Sequence, residues 1–314
     1  YVCDDIEKFD AAYAADHGNN TNNGYGYGIL MKVSVSAAAS SCYYGTLNMT
    51  GGTINVISDR TKAASLYNYG IYLEAAATGV GAGTTATDGT LSQKASAKAS
   101  IENATINVHS NTYYSYGIIV YGCYNSYDNQ YFTVPIKNCN IDVKAYLYTY
   151  AICANAAINS TNGGKYWGDV ELTDNTVTAH SITAHTAYAV YVVAASAHIF
   201  KDANTTTAPI YYGEYATAAK AVINSGTYTA KTKTTNAYAV ASSTRAKTIY
   251  DSETTVQTNR KPGGNAEAYP IVIIHGGTFR GESPTTTARA VSSGGGNVIK
   301  ARGIAIIGIA LTNC

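Results

Sequence analysis

The sequence predicts an all-β chain, a single domain over residues 1–314 wound as a parallel β-helix solenoid of about seven coils. Three observations carry this expectation. A degenerate unit recurs six times, as LNMTGGTINV, ASIENATINV, VPIKNCNIDV, VELTDNTVTA, AVINSGTYTA and VIIHGGTFRG. Each copy is followed by a shorter motif: YGIYL, YGIIV, YAICA, YAVYV, YAVAS or RAVSS. Repeats of this length mark stacked supersecondary units. Within the unit apolar and polar residues alternate, as at Ile101 and Glu102 and again at Ile106, Asn107 and Val108; that is the period of a strand and not of a helix. One column holds Gly51, Asn103, Asn138, Asp174, Ser225 and Gly276. Gly, Asn and Asp tolerate left-handed backbone angles, so the column reads as a sharp bend between two short strands of one coil. A propeller blade would need hairpin order and two-residue turn signals, which the unit lacks.

The elements follow in chain order. Tyr1 and Val2 match the start of a second strand. The stretch DDIEKFDAAYAADHG then sets Ile6, Phe9 and Tyr13 at helical spacing, with Asp4 or Asp5 as cap, Glu7 in the first turn and Gly18 as stop. It predicts a short N-terminal helix over 4–17, either an insertion in the first coil or a cap. YGILM, Tyr27 to Met31, supplies a third strand. The six full units follow, with a fixed column at 53, 105, 140, 176, 227 and 278 and spacings of 52, 35, 36, 51 and 51. Inward columns are expected to hold Ile54, Ile106, Ile141, Val177, Tyr228 and Phe279, and Ile71, Ile118, Ile152, Val190, Val240 and Val291. Variable arcs leave each coil after the third strand, over 75–98, 122–133, 155–168, 196–219 and 244–270, and are expected to decorate one edge.

The pattern of strand, bend, strand and longer arc, with motifs in the style of GGTINV and YGIYL, resembles right-handed parallel β-helix proteins. These include pectate-lyase-like enzymes and the passenger domains of bacterial surface adhesins. The likeness covers essentially the whole chain and implies a right-handed solenoid; the repeat style is most similar to the surface proteins. Architecture alone does not deliver function.

Composition narrows the field. A net charge of +1 with 13% charged residues and no basic cluster argues against nucleic acid or an anionic membrane as partner. The longest apolar runs, AYAVYVVAASA and GIAIIGIAL, are too short for a membrane helix, so no span is predicted. The six cysteines, Cys3, Cys42, Cys123, Cys139, Cys153 and Cys314, are even in number and show no zinc spacing. They read either as disulfides of an oxidising compartment or as small buried hydrophobes. The setting expected is extracellular or cell-surface.

Catalytic chemistry needs converging groups. The enzymes that the chain resembles use acidic clusters in adjacent coils, with calcium or a basic partner. Here Asp142 falls beside Asn107 and Thr178, and no facing acidic pair emerges with Asp169 or Asp174. His180 and His185, five apart in an expected arc, read as satisfied or solvated, and SSGGGN at 292–297 reads as a flexible arc. No enzyme activity, cofactor or metal is expected. An aromatic set, Tyr124, Tyr127, Tyr131, Tyr166, Trp167, Tyr211, Tyr212 and Tyr215, falls in three neighbouring arcs. It is a candidate patch for surface glycans or a second filament, or else covers the outside of the sheets.

The C-terminal IALTNC aligns Ile309 and Leu311 with a first strand, Asn313 with the bend and Cys314 just ahead of the fixed column. If Tyr1 of a second copy continues it, the joint spacing from Thr278 is 37, inside the range within the chain. The chain is therefore expected to polymerise head to tail as the structural subunit of an extracellular filament, through Tyr1, Val2, Cys3, Ile304, Ile306, Ile309, Leu311, Asn313 and Cys314. A monomeric carbohydrate-binding adhesin is the alternative, and a polysaccharide lyase or glycoside hydrolase the third reading.

Overall fold

The computed structural model describes residues 25–34, 42–58, 67–76, 94–110, 113–121, 124–125, 130–131, 133–156, 167–183, 185–200, 211–215, 217–250, 267–284, 288–295, 300–301 and 304–306. They form a right-handed parallel β-helix with three sheets running along its length. The second sheet takes the strand after the bend: Thr53–Ser58, Thr105–Ser110, Asn140–Ala145, Asn175–Ser181, Gly226–Thr232 and Thr278–Glu282. The third sheet takes the shorter motif: Tyr25–Ser34, Tyr67–Ala76, Tyr114–Tyr121, Tyr148–Ala156, Ala187–Phe200, Ala237–Tyr250 and Ala288–Gly295. The first sheet holds the strands before the bend, from Cys42–Thr50 to Glu267–Ile274, and is extended by Ile304–Ile306.

Register follows the sequence columns. Thr53, Thr105, Asn140, Thr176, Thr227 and Thr278 are successive partners across the second sheet. Ile71, Ile118, Ile152, Val190, Val240 and Val291 are successive partners across the third. Parallel stacking without slippage puts like residue on like residue, so each inward column is a continuous apolar file. Ile106, Ile141, Val177 and Tyr228 are fully buried, as are Ile71, Ile118, Ile152, Val190 and Val240.

The bend column behaves as its chemistry dictates in four coils, where Gly51, Asn103, Asn138 and Asp174 have positive φ (89°, 54°, 51° and 54°). In the last two it does not. There Gly226 and Gly277, one residue later, take the positive φ (121° and 124°). A glycine next to the bend offers the cheaper left-handed position, which releases Ser225 from it. Side chains on neighbouring bends satisfy one another: the Asn138 amide donates to Asn103 Oδ1 at 2.7 Å, and Ser225 Oγ to Asp174 Oδ1 at 2.6 Å. Asn175, 1% exposed, accepts from the Cys139 backbone N–H and donates to the Ile136 carbonyl, closing the core wall at that coil.

Four expectations are corrected. Parts of the arcs are strand: Ala187–Phe200 and Ala237–Tyr250 stay paired through Phe200 and Tyr250, and Tyr211–Tyr215 folds back antiparallel on Ala197 to Phe200. Both long strands lack Gly, Pro, Asn and Asp, so nothing in them stops extension. His180 lies in the strand Asn175–Ser181, between Lys144 and Lys231, and not in an arc. Cys139 and Cys153 are buried thiols, one inside the solenoid and one on the outer face of the third sheet, so neither enters a disulfide. Finally, Ile304 and Ile306 pair with Ile271 and Ile273, placing the terminal apolar run four residues from the register that IALTNC suggests. A shift of four residues keeps every side chain on its own face, so period two alone cannot choose between the two registers. The helix expected over 4–17 lies outside the described residues.

Candidate functional site

No group of three or more His, Cys, Asp or Glu is placed to hold a metal among the described residues. What the described residues do assemble is an aromatic ladder and, at the first and last described coils, core residues that are only partly buried.

The ladder follows from the first Tyr of the third-sheet motif. Strict alternation would put this Tyr on the same face as the Ile or Val two residues on, but the strands are irregular at the residue between: Ala151 and Ile152, like Ala189 and Val190, both pack inward, which turns the Tyr out, and parallel register lays each ring on the one below. Tyr27, Tyr69, Tyr116, Tyr150, Tyr188 and Tyr238 form one stack with centroids 5.1, 5.0, 4.8, 5.1 and 5.3 Å apart and interplanar angles of 7° to 16°. A second stack runs beside it through Tyr67, Tyr114 and Tyr148, at 4.8 and 5.0 Å, and ends on the tilted His185 ring. Tyr72, Tyr121 and Tyr191 fill the gaps at steeper angles, around Ile119 and the Cys153 thiol. The result is a second apolar layer outside the third sheet. Burial pushes the phenols of Tyr72, Tyr116, Tyr121 and Tyr150 well up, so these rings stay neutral. Tyr72 donates to Glu74 Oε2 at 2.6 Å, and Lys32 lies 3.3 Å from the same oxygen. The repeating Tyr is visible in the motif; what the sequence leaves unsaid is that its rings meet face to face.

Stacking has a chemical consequence. A sugar ring needs an aromatic face, and from Tyr69 to Tyr188 both faces are turned to neighbouring rings, leaving edges toward solvent. The described members of the patch expected for glycans lie by backbone at the start of neighbouring first-sheet strands: Tyr131 two residues ahead of Thr133, which pairs with Asp169, Trp167 opposite Ala218, and Tyr215 two residues ahead of Thr217. Tyr124 and Tyr131 face each other in a small antiparallel pair attached at Ser96, Trp167 opens the first-sheet strand Trp167–Thr173, and Tyr211, Tyr212 and Tyr215 lie on the strand against the end of Ala187–Phe200. Tyr127 and Tyr166 lie outside the described residues.

The outer face of the second sheet is polar. Asp142 sits beside Asn107 and Thr178, as its column requires, but its closest side-chain partner is diagonal. His109 Nε2 lies 2.8 Å and Lys144 Nζ 3.6 Å from Asp142 Oδ2. Burial alone would push this carboxyl up; the hydrogen bond and electrostatic interaction with His109, and then the Lys144 ammonium, outweigh it and hold the group below its ordinary value. His180 is held below the usual imidazole value by burial, then by Lys144 and Lys231. On the first sheet burial raises the Asp169 carboxyl despite Lys220 at 3.4 Å. Each is an isolated acid with its own cation, and no two carboxylates among them face one site.

The two ends differ from the interior. At one end Ile29, Met31, Leu47, Met49 and Ile54 pack on the core yet remain only partly buried; at the other Phe279 and Val291 do the same. Of the residues expected at a joint, Ile304 and Ile306 are in the last first-sheet strand. Tyr1, Val2, Cys3, Ile309, Leu311, Asn313 and Cys314 lie outside the described residues. Comparison with protein-family models, curated proteins and solved structures finds no match to this chain.

Proposed function

We propose that the chain is the structural subunit of an extracellular filament, with copies adding head to tail so that the coils of one continue those of the next. The observation that carries this reading is the half-buried core at both ends. In the interior the same columns are sealed, from Ile71 to Val240, whereas Ile29 and Val291 keep part of their apolar surface in contact with water. A solenoid that works alone covers such faces with polar caps, because an exposed core and free strand edges template association.

The strand cycle supports the same reading. The described coils begin on the third-sheet strand Tyr25–Ser34 and end on the first-sheet strand Ile304–Ile306. A heterologous contact between two unlike ends propagates instead of closing. An adhesive β-helix would need accessible ring faces, which the ladder uses internally. The extracellular setting rests on the sparse charge and on the resemblance of the repeat to surface proteins, and no longer on Cys139 or Cys153.

Electron microscopy of the purified chain tests the proposal. Seven coils at ~4.8 Å each should advance a fibre by roughly 34 Å per subunit. Fibres with that axial repeat are the expected outcome. Monodisperse particles at all concentrations would overturn it.

A further inference from the structure

We propose that Tyr72 and Glu74 form a redox site in the outer layer of the third sheet, where a diffusible one-electron oxidant takes an electron from the Tyr72 ring and Glu74 takes the phenol proton. The inference does not depend on the filament reading, since every group it uses lies within one copy.

The site follows from the register of the third sheet. Lys32, Glu74 and Tyr121 are successive partners across it, and so are Leu30, Tyr72 and Ile119 two residues earlier. Tyr72 and Glu74, two apart on one strand, share a face. The phenol donates to Glu74 Oε2 at 2.6 Å, the length of a charge-assisted O–H···O bond. Lys32 Nζ lies 3.3 Å from the same oxygen, and Glu74 is 9% exposed. Three rings pack on Tyr72: Tyr69 edge-on at 5.1 Å, Tyr27 edge-on at 5.8 Å and Tyr121 tilted at 5.4 Å.

These surroundings couple the electron to the proton. Electron loss alone would leave a ring cation in an apolar layer, which is costly. Proton loss alone is closed, because burial and then Glu74 push the Tyr72 phenol far above its ordinary value. Moving both together avoids either charge. One electron passes to the oxidant, and the proton crosses the 2.6 Å bond from Tyr72 Oη to Glu74 Oε2. A neutral phenoxyl radical and a neutral carboxylic acid remain beside the Lys32 ammonium. No bond between heavy atoms breaks, and return of one electron restores the pair. At Tyr121 the side-chain partner of the hydroxyl is instead the Asn155 amide, which takes up no proton. The packed rings also keep the Tyr72 radical from meeting another in solution.

The test is flash oxidation by a photoexcited ruthenium polypyridyl complex with persulfate, followed by transient absorption and electron paramagnetic resonance. It compares the unmodified chain with Tyr72→Phe, Tyr121→Phe and Glu74→Gln, with thermal melting as the control for folding. The expected result is a neutral tyrosyl radical that outlasts that of free tyrosine, is lost in Tyr72→Phe and is kept in Tyr121→Phe. Glu74→Gln preserves the shape of the side chain but takes no proton, so formation of the radical should slow by about 100-fold or more. A long-lived radical undiminished in Tyr72→Phe would overturn the site. An unchanged rate in folded Glu74→Gln would overturn the proton transfer to Glu74. Absence of a long-lived radical from the unmodified chain would overturn the whole proposal and leave the filament reading untouched.

Discussion

The residue after the ladder tyrosine is Gly in the first three coils, at 28, 70 and 117, and Ala from 151 onward, and the side chain one coil away explains which. A Cβ at Gly117 would lie 2.5 Å from the Ala151 carbonyl oxygen, 2.8 Å from Ile141 Cγ2 and 2.9 Å from Val143 Cγ2. Gly70 meets Ile106 and Val108, and Gly28 meets Ile54 and Val56, in the same way. Where the column of Val56, Val108 and Val143 narrows to Ala179, Ala230 and Gly281, the facing position widens to Ala151, Ala189 and Ala239. Close-packed interiors conserve volume, so Gly117→Ala should destabilise the fold by about 1–3 kcal/mol. Adding Val143→Ala should cost less than the two changes taken separately, with a coupling of about 0.5–3 kcal/mol in a denaturant double-mutant cycle. The charged residues set a second expectation. His180, whose folded value is depressed, binds its proton more readily when unfolded, so stability is lost as pH falls below about 6.5. Asp142 is likewise depressed; its contribution is present above about 4 and is lost as pH falls through its folded value. Asp169, raised, works in the opposite direction. Melting temperatures from pH 3 to 8 should therefore lose their upper limb in His180→Gln and their lower limb in Asp142→Asn, each against the unmodified chain.

At the scale of the element, the third sheet differs from the other two in packing on both faces. Ile118 and Ile152 close the inside, while Tyr116 and Tyr150 stack outside. Tyr150→Ala should cost about 2–4 kcal/mol, through the lost ring area and two broken stacks, whereas Tyr150→Phe should stay within about 1 kcal/mol. Equilibrium denaturation distinguishes the two, and equal losses would assign the stabilisation to the hydroxyl instead of the ring. The inward files were legible in the sequence because stacking repeats one residue type per coil, so aligning the units also aligned the core. The ladder was only half legible. The repeating Tyr is visible, but period two from the inward Ile118 would have put Tyr116 inside; it points out because Gly117 and Ile118 both turn toward the core, which the pattern does not announce. The arcs carry no repeat at all, and the extension of Ala187–Phe200 past its motif left no sign except the lack of a breaker.

For the molecule as a whole, six repeats with a common column sufficed to place nearly every strand of the second and third sheets. The ends resisted, since a terminal strand has one neighbour to compare with and the run around Ile304 and Ile309 fits two registers. A last consequence belongs to the direction of the hydrogen bonds, which in a β-helix run along the long axis and join each coil to the next. Tension along that axis would load these ladders in unzipping and not in shear, so the solenoid should yield one turn at a time. Turns span 35–36 residues in the middle and 51–52 elsewhere. At roughly 3.5 Å per extended residue, each release would lengthen the chain by about 120 or about 180 Å. The uneven arcs would thus give a pulled filament two step sizes, with the short steps marking the coils around Asn140.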